Sequence, residues 1–499
     1  MSKRGLFATI PIAELAKESE GQKLNRTLGP GALIAIGIGG IIGTGIFVLT
    51  GLAAAQHAGP AIVFSFIIAA LGCVFAGLCY AEFSSMVPVS GSAYAYSYAT
   101  LGEFTAWFVG WNLVLEYLFA AATVAVGWSR YAVRLLDFWD INFLPAALTS
   151  APFTLAPEGH SLVASGALFN LPAVFIAAVV SVICYIGIKQ SATFNGIVVL
   201  IKVTVVIAVI AFGAFYVNMD NWTPFIPENT GKYGEFGWSG VLRASGIIFF
   251  AYIGFDAVST AAQEARNPAR DMPIGILGSL VICTLLYILM SGVLTGMVPY
   301  PQLNDAAPVA VALQAHPELN WLTIWVIIGA LAGLTSVILV MILAQARIFL
   351  TMARHGLLPP AMGAVHPKFR TPHVATAITG VFAALVAGTL PIGLLGELVS
   401  IGTLIAFVVV CIGVLVLRYT RPDLPRPFRV KGVWLVSLLG VGFCTTMILS
   451  LPNDTWLRLI IWTIIGVIYY FAYGYRHSKL RQGSFSGDGA PASVPPVAR

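Results

Sequence analysis

The sequence has very little charge for its length. Only 10% of its 499 residues are Asp, Glu, Lys or Arg, whereas 58% are hydrophobic. A soluble globular protein carries about 25% charged residues, so this chain has too little polar surface to cover itself in water. The composition excludes a soluble protein and predicts an integral protein of the lipid bilayer.

Several chemical signatures are also missing. The six cysteines form no Cys-x-x-Cys pair and the seven histidines are scattered, so the sequence predicts neither a disulfide framework nor a metal site. No Gly-x-x-x-x-Gly-Lys-Ser/Thr loop occurs, which argues against ATP-driven pumping. We expect no cofactor, no metal and no nucleic-acid partner, and we leave open a small single-span membrane partner.

Apolar runs recur from end to end, and about 20 apolar residues are needed to cross the hydrocarbon core. Twelve runs qualify as membrane-spanning helices. They lie near 31–54, 60–85, 104–136, 170–188, 194–217, 240–262, 274–298, 320–351, 374–391, 396–417, 432–451 and 455–474.

The charged residues at the ends of these spans predict the orientation. If both termini are cytoplasmic, most of the 27 Lys and Arg residues fall on the inner side, as the positive-inside rule requires. Residues 1–30 are then a cytoplasmic segment and not a cleavable signal peptide. Residues 475–499, which are rich in Gly, Pro and Ser, are predicted to be a disordered cytoplasmic tail. The expected location is the cell membrane.

Two of the twelve spans are interrupted at mid-depth. The first contains "GIGGIIGTGIF" (37–47), with five glycines, and the sixth contains "SGIIFFAYIGFDAVST" (245–260). Glycines in one span are also explained by close helix packing. A pair of broken segments at equivalent positions of two halves instead indicates the substrate site of a secondary transporter.

Unwinding frees backbone groups that must line a cavity or find a partner. The freed N–H groups at the start of the second half-helix favour an anion, and the freed carbonyls can accept from an ammonium group. A carboxylate site beside an ammonium site fits the zwitterionic end of an α-amino acid. The N–H groups are those around Gly43, Thr44 and Gly45, and the carbonyls are those of Ile41, Phe250, Ala251 and Ile253.

Together with "SGSAYAYSYATLGE", "WNLVLEY" and "RHGLLPP", these segments resemble the amino acid–polyamine–organocation transporter superfamily. Within it, the chain is most similar to bacterial relatives of the cationic amino acid transporter family. The resemblance implies an all-α fold with a five-plus-five inverted repeat and broken helices one and six. Residues 31–217 and 240–417 would form the two repeats, followed by two additional transmembrane helices over 432–474.

The resemblance also implies roles for individual residues. Thr44 matches the binding threonine of the first unwound segment, and Phe250 matches the aromatic that gates the substrate. The side-chain pocket of the family involves span eight, where Met341 and its neighbours are bulky and apolar. That bulk disfavours a long cationic side chain, although the choice between neutral and cationic amino acids stays open.

Three of the charged residues within the predicted spans are candidates for a functional role. Lys202, about nine residues into span five, has valines as its neighbours at three and four residues and no carboxylate on its own helix. It could snorkel to the interface, but its depth favours a buried amine that points at the unwound first span and carries a proton. The resemblance places its ammonium where sodium-coupled relatives hold a cation. Glu116 and Asp256 are predicted pocket acids, with structural roles as the alternative.

The sequence thus predicts a proton-coupled permease that takes up L-amino acids by alternating access. The alternative within carriers is a proton-independent exchanger of amino acids or polyamines. A channel would show a repeated filter or charged rings, and an intramembrane hydrolase would need a nucleophile and base at matching depth. Neither pattern occurs, so the chain is not expected to be an enzyme.

Overall fold

The computed structural model describes residues 5–12, 15, 28–86, 91–141, 144–155, 162–187, 192–262, 265–305 and 307–483, and within these the side chains of 192–195 and of residue 260 are not described. The described chain is mostly helical. In chain order the helices are α1 (Pro30–Ile41), α2 (Thr50–Ala53), α3 (Ile62–Met86), α4 (Ser92–Thr100), α5 (Glu103–Phe138), α6 (Leu171–Ile186), α7 (Ala192–Gly213), α8 (Gly237–Ile248), α9 (Ala257–Thr260), α10 (Pro268–Met297), α11 (Pro308–Gln314), α12 (Asn320–Arg354), α13 (His373–Thr389), α14 (Ile392–Thr420), α15 (Val433–Ser450), α16 (Asn453–Tyr469) and α17 (Tyr475–His477).

Local sequence explains where several of these helices begin and end. Asn170 precedes α6, and its side-chain oxygen accepts from the Ala173 N–H at 3.2 Å, which caps one of the free donors of a helix start. The same helix ends at Gly187, which adopts a left-handed conformation with φ +77°, as C-terminal glycines commonly do. Outside the helices, β1 (Phe153–Leu155) and β2 (Leu162–Ala164) form a small antiparallel hairpin.

The described residues contain nine helical segments long and apolar enough to cross a membrane. Three shorter apolar helices, α1, α6 and α13, accompany them. Each of the twelve predicted spans coincides with helix. Among the long segments, α5 and Gly237–Ser259 have the most deeply buried apolar cores, and the last two segments have the least buried ones. The prediction of a mostly helical protein with several membrane-spanning helices is therefore confirmed, whereas the count of twelve spans stays a prediction.

Both predicted interruptions are present. The first helix ends at Ile41 and resumes with a π-helical turn, Gly45–Leu49, before α2. The other interruption begins after α8, where a 3₁₀ turn over Phe249–Tyr252 is followed by extended backbone at Ile253 and then by α9.

The two ends of the chain are only partly described. Residues 484–499 of the predicted disordered tail lie outside the described residues, as do most residues of the predicted N-terminal segment. The start of the tail is packed, however, since α17 leads into a turn in which Leu480 is completely buried. The boundary predicted at residue 475 therefore falls too early.

Candidate functional site

The two helix interruptions touch each other through their backbones. Gly254 has φ +118°, a backbone conformation that residues other than glycine rarely adopt. A Cβ atom at Gly254 would lie 2.6 Å from the carbonyl carbon of Gly40. A Cβ at Gly45 would likewise overlap the backbone of Ala251. Three of the glycines therefore allow the first and sixth segments to approach within backbone contact.

A small cavity lies beside this contact, between the two interruptions and the middles of α5 and α12. Seven of the eight predicted binding residues line it, and the exception is Ala251. The complete lining is Gly40, Ile41, Gly43, Thr44, Gly45, Ala120, Val124, Phe250, Ile253, Val337 and Met341.

One end of the cavity presents hydrogen-bond donors. The first N–H groups of a helix have no intrahelical acceptor, and the helix that restarts near Gly45 directs them at the break. The Thr44 hydroxyl is fully buried and has no hydrogen-bond partner among the described residues. An unpartnered buried hydroxyl costs about 1–3 kcal/mol. A carboxylate at this end would satisfy both the hydroxyl and the helix dipole.

Three of the four carbonyls expected to accept an ammonium group already have partners within the protein. The Tyr287 hydroxyl, on α10, lies 2.9 Å from the Ile41 carbonyl oxygen and 2.8 Å from that of Ala251. The Phe250 carbonyl accepts from the Ile253 N–H at 3.1 Å. A carbonyl oxygen has two lone pairs, so each retains the capacity for a second bond. Tyr287 thus ties the two interruptions together, a role the sequence analysis missed.

Lys202 lies against the first interruption and is completely buried. Its Nζ donates to the carbonyl oxygen of Gly39 at 2.5 Å and to that of Ile42 at 3.0 Å. Its aliphatic stem passes Gly333 of α12, where a Cβ would approach it to 3.3 Å. The amine therefore occupies the turn at which α1 unwinds, inside the helix bundle.

The predicted pocket acids do not line the cavity. Glu116 and Asp256 are adjacent to each other and fully buried, and the Tyr117 hydroxyl donates to the Asp256 carboxylate. Glu116 precedes the lining residue Ala120 by one helical turn on the same face of α5. The acid pair therefore lies beyond one end of the cavity.

The remaining wall of the cavity is apolar. Ala120 and Val124 come from α5, and Val337 and Met341 come from α12, each pair separated by one helical turn. Of these four residues the sequence analysis identified only Met341. Alanine and valine in an apolar span carry no signal that separates a cavity wall from ordinary helix packing. The wall suits an apolar side chain and offers it no charge.

The C-terminal end of α5 is hydrogen-bonded to the segment that precedes α11. Arg134 donates to both carboxylate oxygens of Asp305 at 2.9 Å, and the Ala307 N–H donates to the same carboxylate at 2.9 Å. Partial burial raises the pKa of Asp305, but these hydrogen bonds and the nearby guanidinium outweigh it, so the pKa is lowered overall. Tyr131, one turn earlier, donates to the Phe47 carbonyl at 2.7 Å and holds the restarted first helix.

Comparison with known proteins identifies the family that this chain resembles. The family model "Amino acid permease" matches residues 28–470. The chain is 45% identical over 477 residues to the methylthioribose transporter of Bacillus subtilis (strain 168), which covers 96% of this chain and 99% of that protein. It is 45% identical over 482 residues to the branched-chain amino acid permease BcaP of the same organism, with coverage of 96% and 100%. Cationic amino acid transporter 4, vacuolar, of Arabidopsis thaliana is 37% identical over 415 residues, with coverage of 83% and 67%. These relatives are transporters and permeases rather than enzymes.

Proposed function

We propose that this chain, which belongs to the amino acid permease family, takes up L-amino acids together with protons by alternating access. Twelve helices cross the cell membrane, and both termini lie in the cytoplasm. The first ten form two inverted five-helix repeats, 31–217 and 240–417, and two further helices occupy 432–474. The contact between the first and sixth segments, at equivalent positions of the two repeats, supports this arrangement.

The amino acid binds with its carboxylate at the Thr44 end of the cavity. The unpartnered hydroxyl and the helix N–H groups around Gly43 and Gly45 favour a negative charge there. Its ammonium group lies near the carbonyls of the two interruptions, where Ile253 supplies an acceptor beside the cavity. Phe250, which also lines the cavity, covers the bound substrate.

The side chain of the substrate is neutral and apolar. Ala120, Val124, Val337 and Met341 surround the space it would enter, and neither buried acid reaches the cavity wall. Two of the relatives, from Bacillus subtilis and Lactococcus lactis, are named as branched-chain amino acid permeases. Methylthioribose, named for another relative, has no zwitterion and serves as the discriminating competitor.

The position of Lys202 is the observation that carries proton coupling. Its amine donates two hydrogen bonds to carbonyl oxygens at the unwound turn of the first helix. A hydrogen bond from a charged donor is roughly twice as strong as one from a neutral donor. Proton release from Lys202 therefore weakens its hydrogen bonds to the turn that binds the substrate carboxylate. The proton and the substrate thus act on the same structural element.

Uptake into proteoliposomes tests this proposal. A labelled branched-chain amino acid is offered with and without an imposed proton gradient, to the parent and to three variants. Lys202→Met removes the titratable amine at similar length, and Lys202→Arg keeps a charge that is never released. Lys232→Met is the matched control, since Lys232 is exposed and pairs only with Glu235 among the described residues.

We expect gradient-driven accumulation by the parent and by Lys232→Met and none by either Lys202 variant. Gradient-driven accumulation by Lys202→Met would exclude Lys202 as the proton carrier. Uptake by the parent that needs only a counter-gradient of amino acid, and never a proton gradient, would favour the exchanger. Competition by methylthioribose but not by any amino acid would overturn the substrate assignment.

A further inference from the structure

The buried carboxylate of Glu103 accepts several hydrogen bonds at the end of the molecule that we assign to the cytoplasm, and we call this carboxylate with its donors the Glu103 hub. Glu103, the first residue of α5, is completely buried. It accepts from the hydroxyls of Tyr98 at 2.9 Å and Tyr470 at 2.8 Å, and from the Ser478 hydroxyl. The Arg481 Nε donates to it at 2.7 Å. Two of these four donors come from the short segment that follows the last helix.

The helix that precedes this hub, α4, reaches two other parts of the cytoplasmic end. The Tyr94 hydroxyl lies 2.7 Å from His355 Nδ1, at the end of α12. At the start of α4, Ser92 accepts from the Ser259 hydroxyl at 3.4 Å. Ser259 belongs to α9, the second half of the broken sixth segment. The short helix α4 therefore connects α9 and α12 to the Glu103 hub.

The segment after the last helix also contacts α12 directly. The Lys479 N–H donates to the His355 carbonyl at 3.1 Å. Gly356, with φ +82°, lies so close to the His477 carbonyl that a Cβ would overlap it. Leu480 is fully buried between these contacts. Residues 477–481 are thus bound directly to Glu103 of α5 and to the two residues that follow α12, and through the Glu103 carboxylate to Tyr98 of α4.

We infer that residues 477–481 act as a clasp that holds the cytoplasmic gate closed. Alternating access requires the second half of the sixth segment to move at this end, and α4 lies against it through Ser259. Arg481 is the single cation among the described groups that contact the Glu103 carboxylate. Without it, the buried carboxylate loses its counter-ion, and removing one partner of a buried ion pair strongly destabilises the surrounding contacts. Loss of Arg481 therefore releases α4 and favours the conformation open to the cytoplasm.

The experiment measures gate opening by thiol labelling. Ala262, two residues after α9, is fully buried in this conformation, and Ala262→Cys adds a reporter there. A membrane-impermeant maleimide is applied to the cytoplasmic face of proteoliposomes. The six native cysteines are all buried, so the parent without the reporter gives the background. Arg481→Gln is compared with Arg476→Gln, a matched charge removal at an exposed position of α17.

We expect Arg481→Gln to raise the labelling rate about fivefold or more, the lower range of allosteric couplings. Arg476→Gln and Arg481→Lys should keep the parent rate. Equal labelling rates in Arg481→Gln and the parent would overturn the clasp. If Arg481→Gln is not monodisperse, Ser478→Ala removes the other donor from the clasp to Glu103, and a parent-like rate in that variant likewise overturns it.

The inference rests on the orientation and alternating access of the proposed function, but its readout is separate. Labelling reports movement at the cytoplasmic end whatever the substrate, and it needs no proton gradient. Reporter labelling from the opposite face alone would refute the orientation. A normal clasp response without amino acid uptake would refute only the substrate assignment.

Discussion

Replacing Thr44 with alanine tests the carboxylate end of the cavity. Thr44 lines the cavity, and its buried hydroxyl, which lies close to Gly127 of α5, has no hydrogen-bond partner among the described residues, so the substrate is its expected partner. A hydrogen bond to a charged group contributes about 1.5–3 kcal/mol, which corresponds to about a 10- to 150-fold change in Kd. Binding should weaken by that factor and should not vanish, because the helix N–H donors remain.

The assay is equilibrium binding of a labelled branched-chain amino acid to the purified protein. Thr44→Ser keeps the hydroxyl and should bind within about threefold of the parent, a difference of less than 1 kcal/mol. Thr123→Ala is the matched control, because the Thr123 hydroxyl is already satisfied by the Phe119 carbonyl at 2.7 Å. A Kd for Thr44→Ala equal to that of the parent would remove this hydroxyl from the site. An equal loss in both alanine variants would attribute the effect to packing.

Three further changes address the elements around the cavity. Gly45→Ala should lower the free energy of unfolding by about 1–3 kcal/mol through overpacking, because the added Cβ would overlap the backbone of Ala251. Gly43→Ala should lower it less, because its Cβ would meet only a valine side chain at 3.2 Å. Identical thermal midpoints for the two variants would contradict this reasoning. Tyr287→Phe removes only the hydroxyl that lies within hydrogen-bond distance of two carbonyl oxygens. We therefore expect the free energy of unfolding to fall by about 1–3 kcal/mol and substrate exchange in a counterflow assay to slow. Parent-like values of both would show that the hydroxyl is dispensable. Asp305→Asn breaks a pair with Arg134 that is about one-third exposed, so less than about 1 kcal/mol should be lost. The folded-state pKa of Asp305 is lowered. The extra stability of the parent over Asp305→Asn should therefore be present above the unfolded carboxyl pKa of about 4 and should disappear as the pH falls through the folded-state pKa. A stability difference that grows in acid would contradict the pairing.

The sequence could predict the features that differ from an apolar background. Five glycines within eleven residues and a single lysine deep in a span are unusual, and the structure brings Lys202 to the predicted turn. It could not predict which face of a helix meets the cavity. Glu116 and Ala120 lie one turn apart on the same face of α5, yet only Ala120 lines the cavity, since this depends on how far neighbouring helices reach.

The sequence also could not predict which side chain donates to the carbonyls of the two interruptions. Tyr287 lies in an apolar run, where an aromatic residue is more often part of the packing. Its hydroxyl needs a partner when buried, and that need was the available signal. Identifying the partner requires the positions of α10 and both interruptions, which are separated by long stretches of chain.

The donors at the first interruption explain how a broken helix persists in the membrane and why a proton can affect it. Lys202 satisfies the carbonyls of Gly39 and Ile42, and Tyr287 satisfies that of Ile41. The unwound turn is therefore supported by protein side chains whether or not substrate is bound. Among the described residues, the Thr44 hydroxyl has no hydrogen-bond partner. In the proposed mechanism the substrate carboxylate supplies that partner, while the charge on Lys202 sets the strength of two of the three carbonyl bonds. A change in protonation and the arrival of substrate thus alter the same few peptide units, so coupling needs no longer pathway through the protein.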